Sequence, residues 1–400
     1  MTRTATAALA AATMLAAGAA SAQGLDRSGQ NIGIIFEEGD YAELSLGYVA
    51  PTLDGRDDNP LLPFENQTGD VADNYFNGSI GYKQQITDAF SFALIADQPY
   101  GANIAYAPTG APGTEGSLAF GGTRATLDSS SLTAMGRYEF GNGFSVHGGV
   151  RAQQFNADIA LNGVAYGGLN GYSAQLDGDT GYGFQLGGAY ERPDIALRVA
   201  LTYFSEIDHD VDVVENLPAA LLAGLAANGI VLPPSVPSQI EVTTPEAINL
   251  DFQTGIAPDT LLFGGIRHVM YSDVVVSPTV FDIAVDPATP NSTIVGIDDS
   301  TTFRLGVGRR FNDKFSGLVS LSYTERGDDD LVSPLAPSDG SIGLTLGGAY
   351  NVNERVTISG GINYTKVGDA RPETGTPDVP FASFDDNSAV GVGVRVGVRF

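Results

Sequence analysis

Arg151 and Arg304 each stand in the middle of a stretch that alternates polar with apolar residues, with small neighbours beside them. A guanidinium so placed has room to hold a carboxylate by paired, charge-assisted hydrogen bonds. Lys83, Arg137, Arg198, Arg395 and Arg399 fall on the same phase of their own stretches, and any of these cations could instead pair with a carboxylate such as Glu139. A second chemistry is apolar. In "NLPAALLAGLAANGIVLPPS", Asn216 to Ser235, the residues Leu217, Leu221 and Leu225, with Leu222 beside them, make a stripe at helical spacing; Asn216 reads as its cap and Gly229 as its stop. The stripe would either collect a hydrophobic ligand with the segment Ala165 to Leu169 or pack on its neighbours.

Other candidates carry less. Ser145 and His147 sit at i and i+2 on one face with no orienting acid, and His209 and His268 are isolated, so no enzyme is expected. Asp208, Asp210, Asp212 and the run Asp328 to Asp330 could hold calcium but read as solvated loop acidity. Gly391 and Gly393 lie on a strand and not at a strand-to-helix turn, so they make no phosphate loop. No cofactor is implied.

The elements that must position these groups are strands. Fourteen segments of period two run from Tyr41–Ala50 to Asn387–Phe400, and their connections alternate: seven long, six tight. From Phe144 to Gln153 one face carries Phe144, Val146, Gly148, Val150 and Ala152, the other Ser145, His147, Gly149, Arg151 and Gln153. The ending "AVGVGVRVGVRF" does the same, and aromatics collect near segment ends, Phe400 included. Sorted loops and a two-faced wall are the pattern of an antiparallel transmembrane β-barrel in a bacterial outer membrane. No stretch beyond the N-terminus is long and apolar enough for a membrane helix, so a closed sheet is the one way to span.

Composition agrees. There are 51 Gly, 16 Tyr, 20 Phe and no Cys, which removes disulfides and thiolate chemistry together. A net charge of -27 argues against nucleic acid as a partner. Met1 to Ala22 reads as a secretory signal, with Arg3 at its start and Ala20-Ser21-Ala22 as the cleavage site, leaving 41–400 for the barrel.

The stretches Gly178–Val211, Thr244–Asp273, Thr301–Tyr323 and Ser341–Tyr364 resemble the FadL family of outer-membrane transporters for long-chain fatty acids and other hydrophobic compounds. The resemblance implies passive uptake of a fatty acid or similar molecule, with membrane lipid and the outer-membrane barrel assembly machinery as partners, the latter through a terminal Phe. It also implies an N-terminal hatch in the lumen, here Gln23–Asp40, and a kinked third strand opening sideways. Pro99 cannot donate to a ladder and Gly101 has no side chain, so "QPYGA" places that opening at Pro99, Tyr100 and Gly101. The family's Asn-Pro-Ala motif at the hatch end is replaced by "FEEGDY", which leaves its fastening open. A general diffusion porin is the contrasting reading.

Overall fold

A computed structural model describes residues 25–109, 111–285, 291–327, 330–375 and 379–400. The expected signal segment Met1–Ala22 lies outside the described residues, as do Gln23, Asp328 and Asp329.

Among the described residues fourteen antiparallel strands form the wall. In chain order they are β1 Tyr41–Thr52, β2 Tyr75–Gln85, β3 in two pieces, Phe90–Asp97 and Gly101–Ala105, β4 Arg124–Glu139, β5 Phe144–Leu161, β6 Gly181–Arg192 and β7 Leu197–Phe204. The second half comprises β8 Ala247–Ala257, β9 Thr260–Val269, β10 Ser300–Arg310, β11 Phe315–Thr324, β12 Ser341–Asn351, β13 Val356–Val367 and β14 Ser388–Arg399. β1 pairs with β14 from Tyr41 opposite Arg399 to Thr52 opposite Ser388, which closes the sheet on itself.

The two faces are opposite in polarity. Leu46, Phe76, Ile80, Val150, Leu186, Leu305, Leu346 and Ile362 are exposed on the outside. Lys83, Thr133, Arg151, Gln153, Ser320, Thr345, Asn363 and Arg395 are buried within. A soluble protein inverts this order; in hydrocarbon it is the favourable one, because each apolar side chain meets lipid and each polar one finds a partner inside. Aromatics ring the wall at two levels. Phe144 packs on Tyr190 and Phe315 on Tyr350 near the tight turns, and Tyr48 on Phe76 and Phe184 on Tyr203 nearer the other rim. Phe400 is exposed, and its backbone N–H is held by the Asp40 carbonyl at 3.1 Å.

Three of the six tight turns use one device. The side-chain oxygens of Asn142, Asn312 and Asn353 accept from backbone N–H groups two residues on, which are those of Phe144, Lys314 and Arg355, and so replace ladder bonds that the turn lacks.

The long connections build a cap. The expected loop between β7 and β8 is a hairpin, Ile207–Asn216 with Ser235–Thr244, which pairs through Tyr172–Gly178 onto the end of β5. Ile207, His209, Val211 and Val213 face inward there, while Asp208, Asp210 and Asp212 are exposed. Asn216 ends the strand, and the tip helix α1, Ala219–Ala227, starts after Pro218. A second helix, α2, Thr279–Val285, seats its first N–H groups on the buried Glu215 carboxylate, which accepts from Val280 at 2.9 Å, Phe281 at 2.9 Å and the Tyr172 hydroxyl at 2.8 Å. Burial first, then the Glu215 charge, raise the Tyr172 phenol pKa, so the hydroxyl stays a donor.

Two outcomes follow. Ile362→Arg, on the lipid face, should cost about 2–4 kcal/mol in reversible unfolding from lipid vesicles, while a polar exchange at inward Ser320 should cost far less. Glu215→Ala should strand three buried donors at about 1–3 kcal/mol each, and hydrogen exchange of 279–285 should accelerate accordingly.

Candidate functional site

The residues Leu25–Asp40 lie inside the barrel, and the sequence shows why they stay. Ile32, Ile34 and Ile35 form an apolar knot with Ile95, Met135, Phe204 and Val269 of the wall. The Phe36 ring lies between the guanidinium groups of Arg137 and Arg198, each 4.7 Å from its centroid, with the His147 ring edge-on at 5.6 Å. The two ends of the segment are tied by ion pairs, Asp26 with Arg267 and Glu37 with Arg399, and by Lys83 donating to the Gly39 carbonyl at 3.0 Å. In this chain these contacts do the fastening where "FEEGDY" stands.

β3 breaks at Gln98–Tyr100. Its ladder to β2 stops at Ile80 opposite Ala96, so Tyr75–Ser79 lack a β3 partner. Substitutes fill part of the break. Gln98 accepts from the Gly78 N–H at 3.1 Å, and the inner segment supplies a short strand: Arg27 N–H to the Pro99 carbonyl and Gly101 N–H to the Leu25 carbonyl, both 2.9 Å. Tyr100 is locked to β4 through the Ser129 hydroxyl and packs against Tyr271.

Cavities adjoin this bend. One, of about 110 Å³, is lined almost wholly by carbon, including Leu25, Tyr100, Ala102, Leu127, Phe155, Leu176, Val242, Tyr271 and Leu335. The other, of about 80 Å³, lies between the bend and β1, with Ala102, Asn103, Val49, Leu53, Tyr75 and Arg27. Ala102 lines both. A third, about 150 Å³ and of mixed lining, lies between the inner segment and β7–β11, with Arg198, Arg267, Arg304, Asn249 and Asp251 beside Phe36, Phe252 and Phe263.

The leucines Leu217, Leu221 and Leu225 are buried, with Leu222 partly so, in the cluster that contains Phe155, Leu176, Val242 and Leu335. They roof the apolar cavity without lining it, and α1 meets the 164–169 turn as expected. Arg151 and Arg304 both point inward but are not brought together. Arg151 donates to the Thr133 hydroxyl at 3.1 Å beside the Phe204 ring, whereas Arg304 lines the third cavity, 3.5 Å from Asp251. Arg137 pairs with Glu139 and Glu191, and Arg395 with Glu43. Arg27 and Arg267 were not among the sequence candidates. His147 bonds Thr202 at 2.9 Å, Ser145 accepts from Arg137 at 3.0 Å, and His268 bonds Thr301 at 3.0 Å. His209 is buried against Phe155, which lowers its pKa. Asp208 and Asp212 accept from Thr243 and Gln239, Asp330 pairs with Arg371, and no group of three or more metal-ligating side chains is placed to hold an ion among the described residues.

A wall that is apolar outside, with its lumen occupied and a carbon-lined cavity beside a break in the ladder, suits the bacterial outer membrane and the passage of hydrophobic compounds. Residues 2–400 match the family described as outer membrane protein transport protein (OMPP1/FadL/TodX), and the chain belongs to it. This is a family of transporters of hydrophobic compounds, not of enzymes. Solved structures share the fold at low identity. A Pseudomonas aeruginosa FadL homologue superposes with a TM-score of 0.74 at 16% identity, covering 97% of this chain and 98% of that one. The P. putida toluene transporter TodX gives 0.61 at 15%, covering 92% of each, and the Ralstonia pickettii toluene transporter TbuX gives 0.58 at 13%, covering 91% and 90%. No curated protein sequence matches the chain.

Proposed function

We propose that this protein passively takes up long-chain fatty acids. The ligand enters under the loop roof of Leu217, Leu221, Leu222 and Leu225 and settles its chain in the carbon-lined cavity beside Tyr100. It then leaves sideways at Pro99–Gly101 as the inner segment shifts. Arg151 and Arg304 are the lumenal cations offered to its carboxylate at successive points, not together. The observation that carries this reading is Ala102, which lines both the carbon-lined cavity and the smaller one between the bend and β1. A ligand passing that residue moves from the lumen towards the wall without crossing a closed ladder. The occupied lumen favours transport over a general diffusion porin, for which an open polar bore is needed. Surrounding membrane lipid receives the product, and Phe400 serves the outer-membrane barrel assembly machinery.

A neutral aromatic hydrocarbon is the second reading. The carbon lining of the cavity beside Tyr100 favours it, and two of the structural neighbours are toluene transporters by name.

Cells lacking their own outer-membrane fatty-acid transporter should gain radiolabelled oleate uptake when this chain is expressed, and Ala102→Trp should return it to background at equal surface expression. Toluene entry without oleate uptake would move the assignment to the second reading; ion conductance with neither would make the protein a porin.

A further inference from the structure

The break in β3 holds a cation that the lumenal path does not use. Arg27 is 7% exposed, and its backbone is stitched to Pro99 and by the Asn77 amide, which donates to the Arg27 carbonyl at 3.2 Å. Its side chain enters the gap between Gly101 and Tyr75. Gly101 stands opposite Asp128 in the ladder, so a side chain at 101 would project on the same face as exposed Asp128. That place is taken: a Cβ on Gly101 would lie 2.1 Å from the Arg27 Cζ. The guanidinium therefore fills the gap left in the wall, with its Cζ 4.3 Å above the Tyr75 ring.

It is also under-neutralised. Among the described residues its one ion-pair partner is Asp128, at 3.9 Å and with a side chain 83% exposed, a pair that water screens strongly. Its Nε is buried with no hydrogen-bond partner. A buried guanidinium short of acceptors is costly, and a planar anion offering two oxygens relieves that cost best. Both the cavity at the bend and a further one of about 110 Å³ beside Gln98 and Gly78 open onto it.

Resting on the transport reading, we propose that Arg27 is a carboxylate-binding residue in the wall: it takes the headgroup of an acyl chain leaving through the break, exchanging Asp128 for the ligand, and so distinguishes fatty acids from neutral chains at the exit.

The test is equilibrium binding of radiolabelled dodecanoate, dodecanol and dodecyl phosphate to the full chain in a nonionic detergent, with heat-dependent gel mobility as the check on folding. The wild type should bind dodecanoate about tenfold more tightly than dodecanol, as a charge-assisted bond implies. Arg27→Met should cut that difference several-fold, the remainder belonging to Arg151 and Arg304, and Arg27→Lys should restore part of the loss. A preference that is undiminished in Arg27→Met overturns the proposal and leaves the transport reading intact. Equal binding of acid and alcohol by the wild type does the same, whereas binding of neither chain overturns both. Dodecyl phosphate binding tightly where dodecanoate does not would assign Arg27 to a phospholipid headgroup and also overturn the carboxylate assignment.

Discussion

Every backbone N–H and C=O in this wall must find its partner within the wall, because the medium outside offers none. Closure of β1 on β14 meets that demand around the circumference, and the rest of the structure is arranged by it. Side chains sort to two faces because lipid and lumen want opposite chemistry. Where β3 breaks, at Gln98–Tyr100, the chain recruits substitutes: an amide side chain for one N–H and a strand borrowed from the N-terminal segment for two more bonds.

That borrowed strand links fold to function. Leu25–Arg27 is at once part of the wall, a lining of the apolar cavity through Leu25, and the end of a segment held by the Asp26–Arg267 pair. Moving it would open the break, enlarge the cavity and release Arg27 together. A passive transporter needs such coupling, since a permanent gap beside a lipid-facing strand would leave polar backbone unpaired in hydrocarbon.

Much of this was legible in sequence. Alternation found the wall, and the sorting of connections by length found its two rims, because both are dictated by hydrocarbon thickness and closure. Pro99 and Gly101 marked the break for reasons of backbone chemistry alone. The hairpin above β7 is not legible in the same way: Ile207, His209, Val211 and Val213 alternate with three aspartates, and outside the membrane acids turned to water look alike on a strand and on a loop. Arg267 was missed because its phase in β9 carries Leu261, Phe263 and Val269, an apolar inward face. Val269 packs on the inner segment, and Leu261 and Phe263 pack on Ala196 and on Leu318 and Ala349 of the wall, so the rule of polar inside fails along this strand. Strand phase likewise told that Arg151 and Arg304 point inward, but not that Arg304 would line a cavity while Arg151 lies buried on Thr133 and Phe204.

The central claim is that the N-terminal segment is a removable strand of the wall. Asp26 and Tyr100 form an isolated antiparallel bridge, and the chain has no cysteine of its own, so Asp26→Cys with Tyr100→Cys gives a clean disulfide staple across that contact. The account predicts that oleate uptake by the oxidised double variant falls to background and returns on reduction, the reduced form serving as the control for the lost Asp26–Arg267 pair. Uptake that is equal in the stapled and reduced forms would contradict it, because ligand would then pass without parting the segment from β3.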